Sequence, residues 1–412
     1  MGIFGPLSRR AGGGLSTPSR RAGGGLSSPS RRAAGGPFIR YRNPLPRRSG
    51  RTIARLGGLA PKLAPMLAPM LAPVRAPILL LVLVLAAPAL VWPGGAAAQA
   101  LPISSKNDLC ALVPAGSGSV DSVEMVQATA AGPVNRYYCV WQPSGFSPGA
   151  GGDHRLLVVL HGGDGHAGKL AVKGLQSLAE TRGYLIAFAQ GWPHGDCPGA
   201  LCTQNVWFGT AEINGMSLEL GAVNRAYVAQ LVDAALGDYG TDPAGIYLAG
   251  FSGGAKLIYS LVAGDTMALP FPFEPAGLAT MAGSLLSVDV PETPGTGRVN
   301  AIHVGAGARP VPALLMQGME DAKLAFEGGL NAERSAIDAG FRAKIAMFRA
   351  LNDAMGAGLA QPAQWLQPLA GNPAELRQYD GAAMVVSVGA ETLDHRWPDW
   401  FAPLVFDFFD AH

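Results

Sequence analysis

The first 100 residues of this 412-residue chain contain no aspartate and no glutamate, although they hold 14 lysines and arginines. The remainder therefore has 31 − 14 = 17 basic against 29 acidic residues, a net charge of −12 beneath an overall +2. An acidic body lacks the clustered positive charge that phosphate recognition needs, which excludes nucleic acid as its partner. A transmembrane-length run is lacking too. The apolar stretch Ile78 to Trp92 is shorter than the ~20 residues a membrane-crossing helix needs, and Pro88 interrupts it. Cysteine is scarce, with four in the chain.

What the leader does contain is repetition. Residues 1 to 55 cycle through "LSRRAGGG", "SRRAGGG" and "SRRAAGG", low-complexity sequence with almost nothing to bury. Such a segment cannot offset its ordering entropy and is expected to be disordered. The apolar stretch then runs into "PGGAAAQA", where Ala98-Gln99-Ala100 has the small-x-small pattern of a signal-peptidase site and Arg75 supplies the positive flank. A cleaved export signal is the reading adopted over a retained membrane anchor. The expected division is a basic leader over 1–77, a signal core and cleavage site over 78–100, and one catalytic domain over 101–412. A basic region of this length before a signal is unusual, so translation is expected to start at Met66 or Met70. The "SRR" tripeptides lie too far from the apolar core to act as a twin-arginine signal.

Export, to the periplasm or the medium, makes the cysteines legible. An even count in an oxidising compartment favours disulfides. The expected pairs are Cys110–Cys139 and Cys197–Cys202, each closing a local loop. His194 with Cys197 and Cys202 makes three of the four ligands of a structural metal site; with no fourth, no metal is expected there.

Beyond Leu101 the pattern is α/β. Short, uniformly apolar runs at 156–160, 184–190, 245–250, 277–283, 312–318 and 382–389 read as buried strands. Helical spacing fills stretches between them: about 168–181, the segment ending at Gly240, the stretch after Ser252, and a long helix over 333–355. Strands alternating with helices predict a mostly parallel sheet covered on both faces, with its chemistry at the carboxyl ends of the strands.

Gly250-Phe251-Ser252-Gly253-Gly254 stands between such a strand and such a helix. G-x-S-x-G in that position is what a nucleophile elbow requires, with the serine pushed out on a tight turn and the N–H of Gly253 at a helix head. Upstream, "LLVVLHGGDGHAG" ends a strand in His161-Gly162-Gly163, an oxyanion-type loop whose second donor is the N–H of Gly163, with Gly162 as the alternative. Gly163, Gly165 and Gly168 also fit a dinucleotide fingerprint. That fingerprint wants an acid at the tip of the next strand, and "AFAQGW" has none.

The base must follow Ser252. Three histidines do so: His303, His395 and His412. His395, in a loop after the last strand, is the best placed. Asp321 is the expected acid, three residues beyond a strand, with Glu320 and Asp394 as alternatives. Trp192, Trp207, Phe208, Trp397 and Trp400 are loop aromatics at the same strand ends. Of these, Trp207 and Trp397 are the expected substrate contacts.

The stretches "RYYCVWQPSGF", "LLVVLHGG", "TDPAGIYLAGFSGG", "PALLMQGMED" and "DHRWPDW" together resemble the exported poly(3-hydroxybutyrate) depolymerase and feruloyl esterase-like family of α/β-hydrolases, from about Arg136 to His395. That resemblance implies a Ser252-Asp321-His395 triad and no cofactor. It implies esterase action on hydroxyacid polyesters, or on phenolic and acetyl esters of plant polysaccharide. Two departures stand out. Gln317-Gly318 precedes the acid where the family has His-Gly, and Leu393-Asp394 precedes the histidine where it has glycines. Only seventeen residues follow His395, so no separate polymer-binding domain is expected, which tilts the substrate toward soluble esters or oligomers. Intact-mass analysis of the exported protein is expected to show an N-terminus at Leu101; a chain retaining residues 78–92 would contradict the cleaved-signal reading.

Overall fold

The structure is a computed structural model, and it describes residues 105–148, 154–193, 203–263, 271–284, 308–330, 337–338, 340–353, 364–366 and 373–412. The leader, the signal segment, the Cys197–Cys202 pair, His194 and His303 lie outside the described residues. Ten strands form one sheet: β1 (Ser119–Thr129), β2 (Gly132–Gln142), β3 (Arg155–Leu160), β4 (Tyr184–Ala189), β5 (Ile246–Phe251), β6 (Gly277–Met281), β7 (Ala313–Gly318), β8 (Gln364–Leu366), β9 (Ala374–Tyr379) and β10 (Val385–Ala390). Their spatial order is β1-β2-β4-β3-β5-β6-β7-β10-β9-β8.

The six central strands, β4 through β10 in that order, run parallel. Antiparallel strands close each edge. The division follows from the side chains. β4, β7 and β10 are buried at every position, as a strand covered on both faces must be. Edge strand β1 mixes exposed and half-buried positions along its length.

Each face carries its own apolar layer. One holds Leu157, Val159, Ile186 and Phe188 of the sheet against helix α1 (Lys106–Cys110), helix α2 (Leu175–Arg182) and helix α6 (Phe401–Asp410). The other sets Val158, Leu248 and Leu315 against helix α3 (Leu220–Tyr239), helix α4 (Gly253–Val262) and helix α5 (Gly340–Leu351). The apolar side of α6 is broad because the helix is almost wholly buried: Phe401, Phe406, Phe408 and Phe409 are all 0% exposed. Among the described residues, no helix is long and apolar enough to cross a membrane.

Two helical expectations need correction. The stretch at 168–181 begins as two single 3₁₀ turns, and α2 starts only after Gly174, whose φ of 78° breaks the helical path. The long helix expected over 333–355 is observed only as α5. Its first residue, Gly340, has φ 78°, and a Cβ there would sit 2.7 Å from the backbone of Glu327 and Gly328. Residues Ile337–Asp338 instead pair with Gly329–Leu330 in a short antiparallel ribbon.

Cys110 of α1 is bonded to Cys139 of β2, with Cα atoms 5.4 Å apart. The bond fastens a five-residue helix, too short to hold itself, to the sheet. Replacing both cysteines by alanine is expected to lower unfolding free energy by about 3.6 kcal/mol, given the sequence separation of 29 that the bond closes. Urea unfolding of the double variant checks this, and an unchanged midpoint would contradict it.

Candidate active site

Strand β5 passes into α4 through Ser252, which has φ 51° and ψ −114°. A non-glycine residue there is strained and must be held by its surroundings. Backbone packing does that. A Cβ on Gly250 would lie 2.8 Å from the backbone of Ala255, and one on Gly254 would run into the carbonyl oxygen of Leu160 at the end of β3. Glycine is required at both positions because the helix head is pressed against two strand ends. The Ser252 N–H is tied to the carbonyl of Met281 at the tip of β6, 2.9 Å away.

The serine Oγ lies 2.9 Å from His395 Nε2, and His395 Nδ1 lies 2.8 Å from Asp321 Oδ2. Asp321 follows β7 and His395 follows β10, so three carboxyl ends of parallel strands supply the three groups. The acid is 4% exposed. Its other oxygen, Oδ1, accepts from the N–H groups of Lys323 and Leu324 at 2.9 and 2.8 Å, which fixes the carboxylate plane. The histidine loop is fastened to the acid loop by Glu320 N–H to Leu393 carbonyl at 3.2 Å. That carbonyl sits where a Cβ on Gly318 would be, which explains the glycine before the acid. The Phe251 ring packs on the imidazole with centroids 5.0 Å apart.

The alternatives are placed elsewhere. Glu320 is exposed. Asp394 pairs with Arg396 at 2.9 Å on the surface. His412 packs on Phe408 beyond the end of α6.

Gly253 opens α4, so its N–H has no intrahelical acceptor. A Cβ on Gly253 would lie 3.4 Å from the Gly163 nitrogen, bringing the two expected donors side by side. Gly162 is packed against Phe251, whose ring a Cβ would meet at 2.8 Å. His161 sets the orientation of the intervening peptide. Its Nε2 accepts from the Gly191 N–H at 3.0 Å, so Nδ1 carries the proton and donates to the Gly162 carbonyl at 2.6 Å. That carbonyl and the Gly163 N–H belong to one trans peptide and point opposite ways, so holding the carbonyl aims the N–H outward. Burial drives the His161 pKa from the ordinary 6.5 to about 3, which keeps the ring neutral.

The glycines of the apparent dinucleotide fingerprint have packing roles instead. A Cβ on Gly165 would meet the Gly162 carbonyl at 2.9 Å, and one on Gly168 would strike the Leu112 carbonyl. No long helix opens behind them. The expectation that Trp207 and Trp397 contact substrate also needs correction. Trp207 is 1% exposed, with its indole N–H donated to the His161 carbonyl at 2.7 Å. Trp397 is 2% exposed and packs on Phe401. Both support the loops that carry the site and present no face to a ligand. Sequence reasoning missed Gln317, whose amide donates to Asp321 Oδ2 at 2.8 Å. Its only signal was the departure from His-Gly before the acid. Among the described residues, no cluster of histidine, cysteine, aspartate or glutamate suits a metal ion.

The strand order, with a strained serine turn after the central strand β5, an acid after β7 and a histidine after β10, is that of the α/β-hydrolase fold. No protein-family model and no curated protein sequence matches the chain. Among solved structures it is similar to an acetyl xylan esterase from Aspergillus awamori, at 13% identity and TM-score 0.46, covering 72% of this chain and 100% of that one. It is also similar to esterase 2 from Thermogutta terrifontis, at 14% identity and TM-score 0.42, covering 70% and 91%. A ferulic acid esterase from Anaeromyces mucronatus gives 12% identity and TM-score 0.41, covering 71% and 90%.

The buried His161 has a consequence for stability. The unfolded chain takes up a proton near pH 6.5 that the folded ring refuses until about pH 3, so this contribution is present above 6.5 and is lost as pH falls through that window. Burial lowers the pKa of His166 and His412 as well, with the same sign. Unfolding free energy is expected to drop by about 1.4 kcal/mol per pH unit from His161 alone as the pH falls. Urea unfolding at successive pH values, with His161→Asn showing a shallower slope, checks this; equal slopes would contradict it.

Proposed function

We propose that this chain is a serine hydrolase of carboxylic esters, with Ser252 as nucleophile, His395 as base, Asp321 as the orienting acid, and the N–H groups of Gly253 and Gly163 as oxyanion donors. The reading rests on one observation above the others. A serine on a strained turn has its Oγ 2.9 Å from an imidazole whose far nitrogen is 2.8 Å from a buried carboxylate.

The chemistry follows from the roles. His395 Nε2 accepts the hydroxyl proton as Ser252 Oγ bonds to the ester carbonyl carbon, and the carbonyl electron pair moves onto oxygen. Two N–H groups fixed before the substrate arrives stabilise that oxyanion, which in such sites is typically the largest electrostatic contribution. The imidazolium then gives its proton to the leaving alkoxide as the carbon–oxygen bond breaks. Water, deprotonated by the same imidazole, attacks the acyl-enzyme and returns Ser252 to its starting state. Asp321 holds the tautomer with the proton on Nδ1 throughout. Neither a metal nor a cofactor enters these steps.

The sequence resemblance favours hydroxyacid polyesters as substrates, acted on by an exported enzyme. Phenolic and acetyl esters of polysaccharide are the alternative from the same resemblance. A non-catalytic binding module on this fold would behave differently, because removing the serine hydroxyl would change nothing measurable.

The test is hydrolysis of a short-chain p-nitrophenyl ester by residues 101–412, beside Ser252→Ala. The variant is expected to lose at least about 10⁴-fold in kcat while remaining folded. Equal rates in the two proteins would end the proposal. Hydroxybutyrate oligomers, methyl ferulate and acetylated xylan, assayed side by side, separate the substrate classes.

A further inference from the structure

Behind the acid, away from the serine, runs a second line of buried polar groups. Lys344 of α5 is 0% exposed, and its Nζ donates to Gln317 Oε1 at 3.3 Å. Gln317, at the end of β7, is also 0% exposed. Its Nε2 makes two bonds, one to the Leu324 carbonyl at 3.0 Å and one to Asp321 Oδ2 at 2.8 Å. That oxygen is the one bonded to His395 Nδ1. A continuous path therefore leads from the buried Lys344 Nζ through an amide and a carboxylate to the imidazole and the serine.

The direction of the amide is dictated by its neighbours. The Leu324 carbonyl has acceptors only, so it requires the Gln317 nitrogen, which leaves the Gln317 oxygen to accept from Lys344 Nζ. That orientation delivers an N–H to the acid. A flipped amide would set its oxygen against the carboxylate and leave the Leu324 carbonyl unpaired in a dry interior, where such losses are costly. The four donors on Asp321 (Lys323, Leu324, Gln317 and His395) then hold the carboxylate in place.

Resting on the ester-hydrolase reading above, we infer that Gln317, oriented by the buried Lys344, is a positioning residue for the catalytic acid. It does not touch the reacting atoms. It acts by supplying Asp321 Oδ2 with a donor that keeps the carboxylate aimed at His395. The other charged groups near this path are the exposed Glu320 and Lys323, the Asp394–Arg396 pair, the Glu327–Arg342 pair, Arg349 over the Tyr379 ring, and Glu375 with Arg377. Most lie toward solvent, where their fields are screened, while Arg349 and Glu375 are half-buried.

Steady-state kinetics on a soluble p-nitrophenyl ester, with pH profiles, tests this on wild type, Gln317→Leu, Gln317→Glu, Lys344→Met and the Gln317→Leu/Lys344→Met double variant. Removing the donor makes the carboxylate more basic, so the imidazole keeps its proton to higher pH. Gln317→Leu is expected to lower kcat about tenfold with KM nearly unchanged and to move the acidic limb of kcat/KM to higher pH. Gln317→Glu keeps the size and the Lys344 partner but brings a negative charge to Asp321, so it should move that limb further in the same direction. It also keeps the test open if the leucine variant does not fold. Lys344→Met should show the same signs with smaller size, and the double variant should be no worse than Gln317→Leu, because Lys344 works through Gln317. Folded Gln317 variants with unchanged kcat and an unmoved acidic limb would overturn the inference while leaving the hydrolase reading intact. Losses that multiply in the double variant would overturn the role given to Lys344. Ester hydrolysis independent of Ser252 ends the hydrolase reading, and this inference with it.

Discussion

The site depends on how closely the head of α4 approaches the end of β3. Gly254 lies against the carbonyl of Leu160 so tightly that no side chain fits between them. That contact fixes the turn carrying Ser252 relative to the His161-Gly162-Gly163 loop, and so sets the proposed nucleophile beside both expected oxyanion donors. The strain in the Ser252 backbone is sustained by the same packing, since a turn free to relax would abandon φ 51°. A parallel sheet makes such an approach natural, because adjacent strands all end on one edge and their loops crowd there.

Around this contact the protein uses buried polar groups as spacers of fixed direction. His161 stays neutral and points one peptide, Gln317 points one carboxylate oxygen, and Lys344 points Gln317. Each is almost completely buried. A dry environment makes each misorientation expensive, so the catalytic groups inherit their geometry from a shell that has few alternatives. Arg136 does comparable work beneath the neighbouring strand ends. It bonds Gln127, the Gln190 carbonyl and Asn224, and its guanidinium lies 3.8 Å from the Tyr227 ring centroid.

Much of this was legible in the sequence, for physical reasons. A strand buried on both faces is written as an unbroken apolar run, so β3, β4, β5, β6, β7 and β10 could be read directly. A nucleophile turn needs glycines on either side, so "GFSGG" announced itself, and Asp321 and His395 followed from their places after strands. The Cys110–Cys139 bond followed from an even cysteine count together with the expectation of export. Edge strand β1 and its neighbour β2 were missed because exposed and half-buried positions along β1 and through the first half of β2 carry polar residues that dilute the apolar signal. Helix α6 was missed although its pattern is amphipathic, with Pro403, Asp407 and Asp410 on one face and the buried phenylalanines on the rest. Trp207 and Trp397 were read as cleft residues because they sit in loops, and a sequence does not say which loops fold inward. Lys344 reads locally as an ordinary surface lysine on an amphipathic helix. Only the packing of α5 on β7 brings it to Gln317, 27 residues earlier in the chain.

The central claim is that Ser252 is an activated nucleophile, and covalent labelling reaches it without any assumption about the natural substrate. Treating residues 101–412 with a fluorophosphonate and mapping the adduct by peptide mass spectrometry is the most direct measurement. The account predicts stoichiometric modification on Ser252, abolished in His395→Ala. Folded protein that stays unmodified, or carries the adduct on another residue, would contradict it.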